Sequence, residues 1–227
     1  MNTDIKFLQI VPIFSELTVE TLEKISGLIK RKHYIKDQVI LMEHESGSAF
    51  FIIISGKVKV FRESEEGKEV ILTILSETDF FGEMAIIDGL NRSANVTATE
   101  DSELFIIERK DFLDLLYAHP EVSIALLQEL TKRLRAADMK IKSLSLKDAE
   151  GKVATVILQL ADDIGRIKQG VVEIEKLPFQ QDLANMAGTS RETISRALHS
   201  FVKKELIELE GNKLRILDYT KFKDLFN

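Results

Sequence analysis

At 227 residues with 44% hydrophobic side chains, the chain can bury substantial cores as one large domain or two smaller ones, and its sparse Gly and Pro exclude a fibrous or disordered class. The absence of cysteine excludes disulfides, thiolate-held zinc, iron–sulfur clusters and thiol redox sensing. The net charge of −6 argues mildly against nucleic-acid binding, but from Ser145 onward the chain is balanced at 13 basic and 13 acidic residues, so the acidic excess lies before it. Met1 to Lys6 carries Asp4 and no apolar signal core, and no apolar run approaches the roughly 18 residues of a membrane span. A cytoplasmic protein without membrane contact is expected.

A short helix is predicted around Thr18 to Lys30. From His33 to Glu108, apolar and β-branched runs at Ala49–Ile54, Val58–Phe61, Val70–Leu75, Ala94–Thr99 and Glu103–Ile107 are separated by turns at Gly47, Gly56, Gly67, Gly82 and Gly89. Strands at spacings of about ten residues predict an antiparallel roll or sandwich, with a hairpin tip at Glu66-Gly67-Lys68.

The pattern changes at His119-Pro120, where proline suits the first turn of a helix. In that helix Leu127, Leu130, Leu134, Ala137, Ile141 and Leu144 recur at intervals of 3, 4, 3, 4 and 3, the a/d seam of a parallel coiled-coil dimer. A lone helix packed on the roll shows the same stripe. The segment Ser145-Leu146-Lys147-Asp148 fits an N-cap box and predicts a break, with a new helix from near Asp148 to about Asp162.

After an extended piece at Val171–Ile174, helices at Gln180–Ala187 and Ser190–Lys204 are joined by Gly188-Thr189, a helix-turn-helix arrangement. Ile207–Leu209 and Leu214–Leu217 then flank Glu210-Gly211-Asn212-Lys213, which reads as a hairpin wing. The expected architecture is α+β: an antiparallel β-roll over 1–119, a dimerisation helix over 120–147 and a winged helix-turn-helix over 148–227.

Two stretches carry chemistry. Ser190 is a good N-cap whose helix leaves N–H groups free to meet a phosphate, and Arg191, Glu192, Ser195 and Arg196 project from the first turns that follow. Arginine bonds guanine O6 and N7 bidentately and a carboxylate accepts from cytosine N4, so these residues form a base-reading set. An exposed helix face with an intrahelical Glu192–Arg196 pair fits equally well. The second stretch runs from Phe81 to Ala94. Here Arg92 offers a fork for phosphate oxygens and Ser93 a hydroxyl, backbone N–H groups near Gly82 and Ala94 can form a nest, and Glu83 can accept a sugar hydroxyl. A surface Glu83–Arg92 ion pair is the plainer alternative.

The run Thr189-Ser-Arg-Glu-Thr-Ile-Ser-Arg196 resembles the recognition helix of the Crp/Fnr family of bacterial regulators, and Gly82-Glu83 followed by Arg92-Ser93-Ala94 resembles the phosphate-binding cassette of cyclic-nucleotide-binding domains. The resemblance covers nearly the whole chain and implies a double-stranded β-helix roll of the cyclic-nucleotide-binding type. It implies Glu83 on a ribose 2′-OH, Arg92 and Ser93 on a cyclic phosphate beside Gly82, Met84 and Ala94, and Leu72 and Leu75 near the base. On DNA it implies Arg191, Glu192 and Arg196 on base edges and Thr189, Ser190 and His199 on phosphates; Arg191 and Ser195 are similar to two branches of the family, giving a TGTGA-like half-site.

Two positions depart from the family. Phe179-Gln180 stands where many members carry a hydroxyl and a basic residue that touch phosphate, which lowers the expected salt dependence. Ala137-Asp138 stands where cAMP-binding activators carry Thr-Ser on the adenine; Ala137 cannot hydrogen-bond through its side chain and ionised Asp138 only accepts, so cAMP, cGMP and cyclic-di-GMP all remain candidates, with cAMP first.

The resulting expectation is a homodimeric, ligand-gated transcription regulator whose partners are double-stranded DNA, a second copy of itself and RNA polymerase. One rival keeps the DNA function with another effector or none; another is a nucleotide-binding signalling module acting through a protein partner. No nucleophile elbow, metal motif or P-loop supports an enzyme, and His33, His44, His119 and His199 lack metal-ligand spacing, so no metal is expected.

Overall fold

The computed structural model describes residues 3–67, 69–168 and 170–226, without the side chains of 143–146 and 168. The chain forms two compact units, 1–134 and 135–227, whose division falls within one long helix.

In the first unit, helices α1 (Thr3–Leu8) and α2 (Val19–Ser26) flank a short 3-10 turn at Pro12–Phe14. The Thr18 side chain caps α2, which is shorter than the predicted Thr18–Lys30 span. Gly27 N–H folds back onto the Glu23 and Lys24 carbonyls, and Lys30 opens the first strand.

Eight strands follow: β1 (Lys30–Tyr34), β2 (Val39–Leu41), β3 (Ala49–Ser55), β4 (Val58–Glu63), β5 (Glu69–Leu75), β6 (Phe80–Phe81), β7 (Asn95–Ala98) and β8 (Ser102–Glu108). They make two antiparallel four-stranded sheets of order β1-β8-β3-β6 and β2-β7-β4-β5, the expected roll. Lys68 of the predicted hairpin tip lies outside the described residues.

Strand β3 explains the roll's two cores. Successive side chains of a strand point to opposite faces, and both faces of β3 are buried, which is why Phe50–Ile53 reads as an unbroken apolar run. Phe50 and Ile52 join a cluster under the helices, where Phe50 stacks on Phe112 at 4.0 Å. Phe51 and Ile53 join Val58, Leu75, Phe81 and Val96 in a second cluster, where Phe51 stacks on Phe81 at 5.0 Å.

Between β6 and β7 sits α3 (Glu83–Asp88), and after β8 come α4 (Arg109–Ala118) and the long α5 (Pro120–Leu146). Val122 and Leu126 of α5 are buried in the cluster under the helices, with Leu130 half-buried against it. The seam is therefore corrected at one position: Leu130 faces the roll. Leu127 and Leu134 remain 62% and 63% exposed, on a different face of the helix from the one that packs on the roll, and Ile141 is 63% exposed. Ala137 is also exposed, and the side chain of Leu144 lies outside the described residues.

Beyond the end of α5, the chain breaks at Lys147-Asp148 within the second unit. Asp148 itself caps α6 (Ala149–Ile164), accepting from Gly151 N–H at 2.8 Å, while the side chain of Ser145 lies outside the described residues. Strands β9 (Arg166–Lys168), β10 (Val171–Ile174), β11 (Ile207–Glu210) and β12 (Lys213–Ile216) form an antiparallel sheet of order β11-β12-β10-β9. Helices α7 (Gln180–Ala187) and α8 (Arg191–Lys203) make the helix-turn-helix, and Gly188 between them adopts φ 60°, a left-handed conformation that favours glycine.

A last helix, α9 (Tyr219–Phe226), inserts fully buried Phe222 against Phe201 at 5.5 Å, and Phe226 meets Phe201 at 5.2 Å. No described helix is long and apolar enough to cross a membrane. Phe222→Ala is expected to cost about 3–4 kcal/mol by leaving a cavity among these rings, read as a lowered urea midpoint for the second unit.

Candidate functional site

The stretch from Phe81 to Ala94 is a turn and a short helix rather than an open loop. Gly82 takes φ 83°, and a Cβ there would meet Arg92 Nη1 at 2.9 Å and the Ala49 carbonyl at 3.1 Å, so only glycine fits. Helix α3 starts at Glu83 and is closed by Gly89, also left-handed. Glu83, Ala85 and Ile86 face inward while Met84 is exposed.

The buried Arg92 guanidinium donates from Nη1 to the Gly82 carbonyl and from Nη2 to the Ala49 carbonyl, both at 2.8 Å, and lies over the Phe51 ring. Its Nε has no partner. A buried N–H without an acceptor costs free energy that an incoming anion can recover. Burial opposes the charge on Arg92, yet a guanidinium stays protonated and remains a cation facing any such anion.

Arg92 and Glu83 do not form the surface ion pair considered above. Glu83 instead meets Arg133 of α5, whose Nη1 donates to the carboxylate at 3.2 Å and whose Nη2 donates to the Phe80 carbonyl at 2.7 Å, the guanidinium lying over the Phe80 ring. Burial pushes the Glu83 carboxyl up, against the pull of Arg133. Arg133 is a residue of this site that sequence reasoning missed.

Among the other expected pocket residues, Ala94 is buried, and Ser93 is exposed with its hydroxyl 3.5 Å from Met84 Sδ. Leu75 packs in the same cluster as Phe51, whereas Leu72 sits on the opposite, exposed side of β5 and is not brought to Arg92. Ala137 and Asp138 are exposed on α5 within the second unit.

In the second unit, Ser190 caps α8, accepting from Thr193 N–H at 3.2 Å. Ile194, Ala197, Leu198 and Phe201 turn inward, so Arg191, Glu192 and Arg196 stand on the outer face. Glu192 and Arg196 approach to 3.9 Å across a highly exposed surface, too loosely to hold either from another partner. Thr189 and Ser195 are half-buried, and His199 Nδ1 donates to the Ser195 carbonyl at 2.7 Å, leaving Nε2 as its outward edge.

The wing's cations are already engaged. Lys213 and Arg215 both meet Glu173, at 2.8 and 2.9 Å, and hold its carboxyl down at about 2.

Residues 31–119 match the cyclic nucleotide-binding domain and residues 151–225 the Crp-like helix-turn-helix domain. The chain is 34% identical over 198 residues to the cyclic AMP receptor protein of Thermus thermophilus, covering 87% of this chain and 88% of that one. It is 31% identical over 206 residues to a CRP-like cAMP-activated global transcriptional regulator of Mycobacterium tuberculosis, covering 91% and 92%. Among solved structures it is similar to the Thermus thermophilus catabolite activator protein, at 31% identity and a TM-score of 0.54 over 94% of this chain and 97% of that one. In fold alone it is similar to FixK2 from Bradyrhizobium japonicum, at 21% identity and a TM-score of 0.77 over 88% and 98%.

The buried Glu83 has a consequence for pH. Its folded-state carboxyl holds a proton to higher pH than the unfolded chain, whose value is 4.5, so its contribution to stability falls as pH rises through that window. Glu83→Gln removes the titration. Relative to the wild type, the variant is expected to gain stability as pH rises above 4.5 in urea unfolding; a flat difference contradicts the burial effect.

Proposed function

Since the chain belongs to the Crp/Fnr family of transcription regulators, with a cyclic-nucleotide-binding domain and a helix-turn-helix DNA-binding domain, we propose that it is a homodimer gated by a cyclic nucleotide and reading a TGTGA-like palindrome. The observation that carries the gating is the buried Arg92 with its unpartnered Nε at the turn that opens α3. That group suits a phosphate, Ser93 adds a hydroxyl, and Glu83 suits a ribose hydroxyl. The names of the relatives favour cAMP as the effector, with cGMP and cyclic-di-GMP as the alternatives that acceptor-only Asp138 admits.

Gating follows from competition. Glu83 is held by Arg133, a residue of α5. A ribose hydroxyl at Glu83 displaces or reshapes that contact, and α5 also carries the exposed Leu127, Leu134 and Ile141 through which the dimer forms. The ligand shifts the equilibrium by its differential affinity for the two states. Two recognition helices related by a two-fold then meet successive major grooves, where Arg191, Glu192 and Arg196 read base edges, Ser195 lies beside them, and Thr189, Ser190 and His199 touch phosphates. RNA polymerase is the further partner of such a regulator.

One observation favours a second reading, in which the roll needs no effector: both terminal nitrogens of Arg92 and the Glu83 carboxylate already have partners. Arg92→Ala separates the two. If that variant keeps regulated DNA binding, the effector-free reading stands.

Titration calorimetry with cAMP, cGMP and cyclic-di-GMP is expected to find one of them binding the wild type, and Arg92→Ala is expected to bind none; wild-type affinities all weaker than millimolar exclude gating by these nucleotides. Leu134→Asp is expected to yield monomers in sedimentation, since it puts a charge into the apolar seam. In a mobility shift on a TGTGA palindrome, Arg191→Ala is expected to weaken binding about tenfold or more and to relax preference at one base pair.

A further inference from the structure

With neither cysteine nor tryptophan in the chain, methionine is its most readily oxidised side chain. Met186 is buried, whereas Met42, just after β2, and Met139, on α5, are exposed. Met84 is 51% exposed and stands on α3 directly after Glu83.

The sulfur of Met84 meets a hydroxyl of the candidate pocket. The Ser93 hydroxyl donates to Met84 Sδ at 3.5 Å. A thioether is a weak acceptor, so it holds that hydroxyl at little cost and releases it readily to a better partner. The neighbouring Arg92 is 5% exposed and its Nε lacks an acceptor, which marks this turn as the seat of an anion. The hydroxyl beside that cation is therefore parked on sulfur and open to a phosphate oxygen.

Oxidation changes the parking place. The thioether sulfur attacks one oxygen of hydrogen peroxide, an S–O bond forms as the O–O bond breaks, and the leaving hydroxide takes the remaining proton and departs as water. Sulfur loses two electrons and the peroxide gains them. A flexible apolar side chain becomes a polar one, and the change is reversed by methionine sulfoxide reductases. The new oxygen is a far stronger acceptor than the thioether, and it projects from the sulfur that the Ser93 hydroxyl already faces. At an exposed position the added atom requires no repacking, in contrast to buried Met186.

We propose that Met84 is a site of reversible oxidation by peroxides, and that its sulfoxide captures the Ser93 hydroxyl and so weakens binding of a phosphate-bearing effector at Arg92. The inference rests on the effector-pocket reading above. A redox input then reaches the regulator through a thioether, in a chain that has no thiol.

The test treats the folded full chain with hydrogen peroxide, locates the modified residues by peptide mass spectrometry, and measures binding of cAMP, cGMP and cyclic-di-GMP by calorimetry before and after. Met84 is expected to be converted, with the melting temperature held within about 2 °C. The nucleotide that binds is expected to lose about tenfold in affinity, the worth of one hydrogen bond to a charged group, and to regain it after methionine sulfoxide reductase treatment. In Met84→Leu, peroxide is expected to leave that variant's own affinity unchanged. In Ser93→Ala, where the hydroxyl is already gone, peroxide is expected to cost no more than about twofold.

Conversion of Met84 with unchanged affinity overturns the proposal. So does conversion of Met42 or Met139 that spares Met84, and so does an equal loss in Met84→Leu, which places the effect at another methionine. A loss that accompanies a lowered melting temperature marks damage to the fold and overturns it too. A wild type that binds none of the three nucleotides overturns the effector reading and this inference together; a nucleotide bound equally well before and after oxidation overturns this inference alone.

Discussion

The buried guanidinium of Arg92 is the constraint on which the first unit turns. Its two terminal nitrogens join the carbonyl that ends β6 to the one that begins β3, and its own backbone exchanges hydrogen bonds with His44 and Glu45 near the end of β2. Three stretches, at 44–49, at 82 and at 92, are therefore joined through one residue. Burying such a group is costly unless its donors are satisfied. Satisfying them requires the left-handed Gly82, which in turn starts α3 and places Glu83 inside. The same side chain thus organises the fold and keeps one N–H in reserve, which is why the site and the scaffold are hard to separate here.

Helix α5 solves a different problem, presenting three kinds of surface along one element. Its first turns bury Val122 and Leu126 in the roll, Arg133 reaches Glu83 and Phe80, and Leu127, Leu134 and Ile141 are left without a cover within the chain. Such a row of large exposed side chains is the mark of an association surface. Under the proposed gating, the carboxylate that would meet the ribose and the surface that would form the dimer are both tied to α5.

Much of this was legible in the residues, and the reasons for the rest are physical. The spacing from Gly82-Glu83 to Arg92-Ser93 and the run from Arg191 to Arg196 carry their chemistry in sequence order, so they stand out. The heptad pattern located Leu127, Leu134 and Ile141, but periodicity cannot say whether a stripe faces a second helix or the chain's own roll, and Leu130 faces the roll. Arg133 was hidden because its partner lies 50 positions away. Helix α3 was missed because six residues between two glycines give no helical period to read. Helix α9 did leave a signal, in Tyr219, Phe222 and Phe226 at intervals of 3 and 4, and the two phenylalanines of that stripe meet Phe201.

The length of α5 beyond Arg133 makes it a mechanical arm. The 13 positions from Arg133 to Leu146 span about 20 Å at the rise of an α-helix. A tilt of about 10° at the Arg133 end displaces the far end by ~3.5 Å, close to the ~3.4 Å rise of one base pair. Under the proposed gating, a small tilt at the Glu83 contact would be enlarged along α5 to a displacement the size of one base-pair step.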